Sequence, residues 1–177
     1  MKQFAWCPPR SEEPEWLDAT TIPTADLRAN LQELRQLNHY LGSCWLVRRA
    51  VQQLWQRAGC PSHWRVLDIG VGAGDIPLRL QRWGQEHGVQ VTVVAIEPHS
   101  GVMQEARQVL QEHQGVALMQ ADGLQLPLLA RSVDVAICST MLHHLSWHEG
   151  VTLLRAMAAV ARHGIVVNDL VRGWLPY

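Results

Sequence analysis

The stretch that most constrains this chain is Arg65-Val66-Leu67-Asp68-Ile69-Gly70-Val71-Gly72-Ala73-Gly74-Asp75. Residues 66–69 form a short aliphatic run that reads as a strand. Three glycines turn the chain, and residues 75–87 carry Ile76, Leu80 and Trp83 at helical spacing. Glycines at alternate positions allow a tight turn and let backbone N–H groups come close to a ligand near the start of a helix. Strand, glycine loop and helix in this order open a parallel α/β arrangement and predict a binding crevice at the strand's C-terminal end.

The same alternation continues. Residues 91–96, 116–119, 133–138 and 165–168 read as further strands, nearly all apolar. Residues 100–113 read as a helix with Met103, Ala106 and Leu110 facing inward. Ser146-Trp147-His148-Glu149 is a capping-box pattern that opens another helix, reaching to about residue 163. Continuous apolar strands alternating with helices imply an α/β, Rossmann-like, doubly wound sheet, mostly parallel, covered by helices on both faces.

Upstream lies an N-terminal helical pair. Thr24 can cap a helix that carries Leu27, Leu31, Leu34, Leu37 and Leu41; Gly42-Ser43 breaks the pattern. A second helix carries Leu46, Val47, Ala50, Val51, Leu54 and Trp55, and Gly59 and Pro61 stop it. The expected organisation is an irregular proline-bearing arm over 1–23, a helical cap over 24–64 and a cofactor-binding domain over 65–177.

A chain of 177 residues supports one domain with a real core. Its net charge of -1 leaves no broad basic surface for nucleic acid. The apolar runs are too short to cross a bilayer, and the N-terminus lacks the sustained apolar segment of a signal peptide. Cys7, Cys44, Cys60 and Cys138 are scattered without a CxxC pair, which fits reduced thiols in the cytoplasm better than disulfides or zinc.

The spacing in the glycine loop separates two ligand classes. A nicotinamide dinucleotide fingerprint is G-x-G-x-x-G, with the pyrophosphate on the helix end. Here the third glycine comes one residue early, and Asp75 follows where it would repel a pyrophosphate. Asp68 adds negative charge ahead of the loop. S-adenosylmethionine offers an ammonium and a sulfonium and has no phosphate, so the charges favour it. Glu97, at the end of the second strand, can accept ribose hydroxyls from either cofactor, and Asp122 can accept from an adenine amino group.

These residues together resemble the class I S-adenosylmethionine-dependent methyltransferases. Residues 66–77 are similar to their first motif, and Ala95-Ile96-Glu97-Pro98 to their second. Residues 120–127 and 132–139 are similar to the third and fourth. Met141-Leu142-His143-His144-Leu145 resembles the signature of the ubiquinone/menaquinone-biosynthesis-like small-molecule branch. The resemblance, covering about 65–169, implies that Asp68, Gly70, Gly72 and Gly74 surround the methionine part of the cofactor. It implies Glu97 at the ribose, Asp122 and Gly123 at the adenine, and the Ser139 carbonyl region at the cofactor amine. Leu34-Arg35-Gln36-Leu37-Asn38 resembles the N-terminal helix that closes over the site, which would let Arg35 hold the methionine carboxylate.

One departure stands out. Members of this family usually continue past the fifth strand into two more, whereas this sequence runs only to Tyr177. The expectation is a sheet lacking its last two strands, its fifth strand an open edge that pairs with another chain, as in a homodimer, or a protein with impaired catalysis.

Methyl transfer is an in-line displacement that depends mainly on alignment. A general base helps when the acceptor is a phenol, enol or acidic carbon, and His143 and His144 are the candidates. His148 lies across the Ser146 cap and shares no regular helical face with His144, so no metal is expected. Ser139-Thr140-Met141-Leu142 is not the Asn/Asp-Pro-Pro-aromatic loop of nucleic-acid amino-methyltransferases, and no Pro-Cys dipeptide is present for cytosine chemistry. The reading is methyl transfer from S-adenosylmethionine to the oxygen or carbon of a small-molecule acceptor. A catalytically silent cofactor-binding or partner module, and less readily a nicotinamide-dependent oxidoreductase, remain as alternatives.

Overall fold

In the computed structural model, which describes residues 24–40 and 42–169, the apolar runs become five strands. They are β1 (His63–Ile69), β2 (Gln90–Ile96), β3 (Val116–Met119), β4 (Val133–Ser139) and β5 (Ala161–Asn168). All pair in parallel, in the order β3-β2-β1-β4-β5. The chain winds outward from β1 in one direction through β2 and β3, then returns to continue through β4 and β5. The switch point therefore falls between β1 and β4, where a ligand crevice opens beyond the strand C-termini.

Residues of alternate parity along β1 face opposite sides of the sheet and build two apolar layers. Trp64 and Val66 join Val135, Ile137 and Val166 under α2 (Ser43–Arg57), α3 (Asp75–His87) and α4 (Ser100–Leu110), which contribute Val47, Val51, Leu80, Trp83, Ala106 and Leu110. Leu67 and Ile69 join Ile96, Ala136 and Cys138 under α5 (Trp147–Val160), which contributes Leu153 and Met157. β4 is buried at every position because helices cover both its faces.

α1 (Thr24–Tyr40) rests on the edge of this assembly through Leu27 and Leu31, which pack on Val102 of α4 and Ala73 of the glycine loop. A two-pronged ion pair reinforces the contact: Arg28 Nε and Nη2 reach the Glu105 carboxylate, each at 2.9 Å. The helical pair is thus seated directly on the glycine loop.

The structure moves several boundaries. β1 starts at His63, so the cap and the sheet domain meet inside a strand rather than at residue 65. The helix expected to reach about residue 163 ends at Val160, and β5 begins at Ala161 with no loop between. Main-chain pairing of Ala161 with Val133 takes this segment from the helix, with a register irregularity between Val133 and Val135 absorbing the tight junction. α4 stops at Leu110 rather than near residue 113. Among the described residues the sheet is wholly rather than mostly parallel, and β3 and β5 are its two edges. The expected arm over 1–23 lies outside the described residues, as do the side chain of Leu37, all of Leu41 and the residues beyond Asp169.

Candidate active site

The strand ends bring together Ile69 of β1, Glu97 after β2, Asp122 after β3, Ser139 of β4 and Asn168-Asp169 of β5. At the centre is Asp68. It is fully buried, and neither carboxylate oxygen has a hydrogen-bond partner. Burial, and secondarily the charges of Glu97 and Asp75, push its carboxyl up to about 8. An unpaired buried carboxyl is costly, and such groups mark places where a ligand is expected to supply the missing partner.

The glycine loop does not work as its sequence suggests. Gly70 N–H and Val71 N–H both donate to Ile96 O, at 2.9 and 3.1 Å, and Gly74 N–H donates to Val71 O at 2.9 Å. Gly72 N–H bonds to the Glu97 carboxylate. The donors of Gly70, Val71 and Gly72 stitch the loop to β2 and Glu97, Gly74 closes a turn within it, and Asp68 and Asp75 flank it with carboxylates. Gly70 and Gly72 adopt the left-handed region, with φ of 77° and 50°. Gly74, at φ 81°, is the N-cap of α3; a Cβ there would meet Leu110 at 3.1 Å, so this glycine makes room for α4.

Glu97 is held in place by Gly72 N–H and by His99 N–H, the latter at 3.1 Å, and burial raises its pKa. Asp122 caps the short 3-10 turn 123–125, with Oδ1 accepting Leu124 N–H at 2.8 Å. Gly123 is buried against Ile69, where a Cβ would come within 2.7 Å of Cγ2. Arg35 pairs with Asp75, Nε to Oδ1 at 2.8 Å, which sets its guanidinium at the start of α3.

The chain leaves β4 through Thr140, which adopts φ 50°, a costly conformation for a β-branched residue. That turn swings Met141 over the glycine loop; a Cβ on Gly70 would lie 3.2 Å from Met141 Sδ. His143 follows in the 3-10 turn Leu142–His144, its Nδ1 2.6 Å from Asp169 Oδ1. Asp169 Oδ2 accepts Met141 N–H at 3.2 Å and Leu142 N–H at 2.6 Å, so one carboxylate holds both the imidazole and its loop. The His144 ring packs against that of His143, tilted by 36° with ring centroids 4.2 Å apart. Asn168 Nδ2 donates to Ser43 Oγ at 2.7 Å and to Ser139 Oγ at 3.0 Å, tying the start of α2 to the ends of β4 and β5.

Asp68, Glu97, Asp122 and Ser139 lie at or just beyond the C-terminal ends of their strands, Gly70, Gly72 and Gly74 in the loop after β1, Gly123 after β3 and His143 and His144 after β4, while Arg35 approaches from α1. Asp169, Ser43 and Asn168 were not expected to have roles. The available signal was that Asn168-Asp169 ends a parallel strand, as Asp68 and Glu97 do near theirs.

A parallel sheet with a carboxylate-lined glycine loop at its switch point defines a Rossmann-like domain built for a cationic cofactor. Residues 66–164 match the family model of the methyltransferase domain, more than half of the chain, and the chain belongs to that family. It is 32% identical over 84 residues to an uncharacterized methyltransferase of Geobacillus sp. (strain WCH70), covering 48% of this chain and 36% of that protein. It resembles the YcgJ protein of Bacillus subtilis with a TM-score of 0.51 and 25% identity, covering 64% of this chain and 46% of that one. A SAM-dependent methyltransferase from Aquifex aeolicus shares the fold, with a TM-score of 0.54 and 18% identity over 80% of this chain and 69% of the other. The chain therefore spans about a third of its curated relative's length.

The cofactor of this class is S-adenosylmethionine, and the residues fit it. The two orphaned oxygens of Asp68, buried beside Glu97, suit a ligand bearing cationic and hydroxyl groups. A pyrophosphate would meet three carboxylates and a loop in which the N–H groups of Gly70, Val71 and Gly74 are already bonded. No described helix is long and apolar enough to cross a membrane.

Proposed function

We propose that this protein transfers the methyl group of S-adenosylmethionine to an oxygen or carbon of a small-molecule acceptor, with His143 as general base. The observation that carries this reading is the 2.6 Å contact of His143 Nδ1 with Asp169 Oδ1, on the loop that Met141 seats over Gly70. When bound, the cofactor supplies an electrophilic methyl on a sulfonium. Asp68 gives its carboxylate to the methionine end, and Glu97, fixed by two N–H groups, accepts the ribose hydroxyls. Asp122 and Gly123 meet the adenine, and the Ser139 carbonyl region takes the amine. Arg35, paired through Nε with Asp75, holds the methionine carboxylate with its remaining guanidinium N–H groups.

His143 removes the acceptor's proton through Nε2. Asp169, hydrogen-bonded to Nδ1, keeps the proton on that nitrogen so that Nε2 is the basic one, and stabilises the imidazolium that forms. His144, in tilted contact with His143, is the second candidate and narrows the ring's freedom. The free thiols of Cys44, Cys60 and Cys138 suit a cytoplasmic setting. The β5 edge, unpaired on its outer side among the described residues and with Val167 exposed, suits pairing with a second copy, which analytical ultracentrifugation of the full chain tests.

The experiment is calorimetric titration with S-adenosylmethionine, beside Gly72→Arg and Glu97→Ala, followed by a radiolabelled-methyl screen over phenols, enols and carbon acids. Binding lost in both variants, with turnover lost in His143→Ala, supports the reading. Binding without turnover on any acceptor favours a silent cofactor-binding module instead.

A further inference from the structure

Between α3 and the helical pair runs an open cleft of about 520 Å³, whose walls include Arg35, Cys44, Asp75, Leu78, Arg79 and Arg82. Asp75, Leu78, Arg79 and Arg82 are spaced three, four and seven residues along α3 and so share one stripe of the helix. That stripe is distinct from the one buried in the core, which carries Pro77, Leu80, Trp83 and Gly84.

Among the described residues lining the cleft, Asp75 is the only carboxylate, and Arg35 already engages it at 2.8 Å. No ion pair joins Arg79 or Arg82 to a carboxylate among the described residues. Both lie one to two turns from the positive end of the helix dipole, so the dipole gives them nothing. Like charges three residues apart on a helix repel. Two planar guanidinium forks facing a polar cavity form the arrangement that grips a carboxylate or phosphate with paired hydrogen bonds.

The cleft also communicates with the proposed site of chemistry. Its wall residue Cys44 feels the charges of Asp75, Arg79 and Asp68. The neighbouring Ser43 is bonded at 2.7 Å to Asn168 at the end of β5. From Asp75 to Arg82 the helix rises on the order of 10 Å. A molecule lying in the cleft therefore spans from the arginines to Asp75, the residue that follows the glycine loop.

We infer that the cleft is an oxyanion subsite for the methyl acceptor, with Arg79 and Arg82 gripping a carboxylate or phosphate remote from the atom that is methylated. This rests on the methyltransferase reading for the acceptor's identity, but the subsite itself is tested separately. The full chain, with and without saturating S-adenosylhomocysteine, is titrated with hexanoate, hexyl phosphate and neutral hexanamide while the arginine Nε–H resonances are followed. The expected result is movement of the Arg79 and Arg82 signals by at least one oxyanion, with affinity at least about tenfold above the amide's. The stronger of the two anions identifies the group as carboxylate or phosphate.

In Arg79→Gln/Arg82→Gln, that affinity is expected to fall about tenfold while S-adenosylhomocysteine affinity stays within about twofold. Both side chains are at least partly exposed, and the retained spectrum of the remaining resonances verifies the fold. The inference is overturned if the amide binds as well as the anions, if neither anion moves these signals, or if the variant binds them unchanged. It is equally overturned if the variant weakens S-adenosylhomocysteine instead, which would assign the arginines to the cofactor. Failure of wild type to bind S-adenosylhomocysteine would count against the methyltransferase reading, while the titration without it still judges the cleft.

Discussion

Asp169 and His143 are 26 positions apart in sequence and meet at 2.6 Å, carboxylate to imidazole, where the ends of β4 and β5 lie side by side. The same carboxylate accepts two backbone N–H groups of the loop that carries the histidine, so imidazole and loop are held as one unit. Groups that act as a unit lose function non-additively. His143→Ala is expected to lower turnover by about 100-fold or more, the usual range for a general base. Asp169→Asn is expected to lower it about 10- to 100-fold, and the double variant to be little worse than His143→Ala. Cofactor affinity, measured by calorimetry, should change little. Additive losses would separate the two residues.

Asp68 makes cofactor binding depend on protons. Burial holds its carboxyl at about 8, above its ordinary 3.8, so at neutral pH it is mostly protonated. A neighbouring cation favours the ionised form, so S-adenosylmethionine binding near pH 7 should release protons, a fraction per site that vanishes above about pH 9. The stability sign follows from the same shift. The neutral carboxyl is tolerated at low pH, and the cofactor-free fold loses stability as pH rises from about 4 to about 8. Calorimetry in buffers of different ionisation enthalpy reads the proton release, and Asp68→Asn should abolish it and flatten the stability profile.

Two helical glycines should respond to alanine with opposite signs. Helix propensity alone favours alanine by about 0.8–1 kcal/mol. At Gly150 of α5 the added Cβ would find Leu142 Cδ2 at 3.8 Å, an ordinary contact, so Gly150→Ala is expected to stabilise by about 0.5–1 kcal/mol. At Gly84 of α3 it would lie 2.6 Å from both Val89 O and Val91 Cγ2, which cannot move aside. Gly84→Ala is expected to destabilise by about 1–3 kcal/mol, a Tm decrease of roughly 2–4 °C per kcal/mol. Thermal unfolding distinguishes them.

Ser146 opens α5 with its Oγ accepting Glu149 N–H at 3.3 Å, while the Glu149 carboxylate accepts Ser146 N–H at 2.8 Å. Ser146→Ala should cost about 1 kcal/mol by orphaning the Glu149 N–H. Ser146→Thr, which keeps both the acceptor and the hydroxyl that donates to Glu149 Oε2 at 2.6 Å, should recover most of it. Denaturant unfolding with an unchanged m-value checks the assignment.

The glycine loop with its flanking strand and helix, the capping box at Ser146 and the inward faces of α3 and α4 were all legible in the sequence. Each depends on contacts within a few residues: apolar spacing, a positive φ, a side chain reaching three positions along. Asp68, Glu97 and Asp122 were legible for a related reason, since each sits at or just beyond the end of its own strand and a parallel sheet gathers such ends on one side. Tertiary structure alone decided what these groups do to one another. It bonded the loop's N–H groups to Ile96 and Glu97, left both oxygens of Asp68 without a partner, and turned Gly74 to the packing of α4. It ended α5 at Val160, because pairing with β4 outweighed local helical preference from Ala161 onward. It also joined Asp169 to His143 and set Arg79 and Arg82 facing the helical pair. Local spacing determines which element a residue joins, whereas charge pairing and desolvation depend on which distant elements the sheet order places beside it.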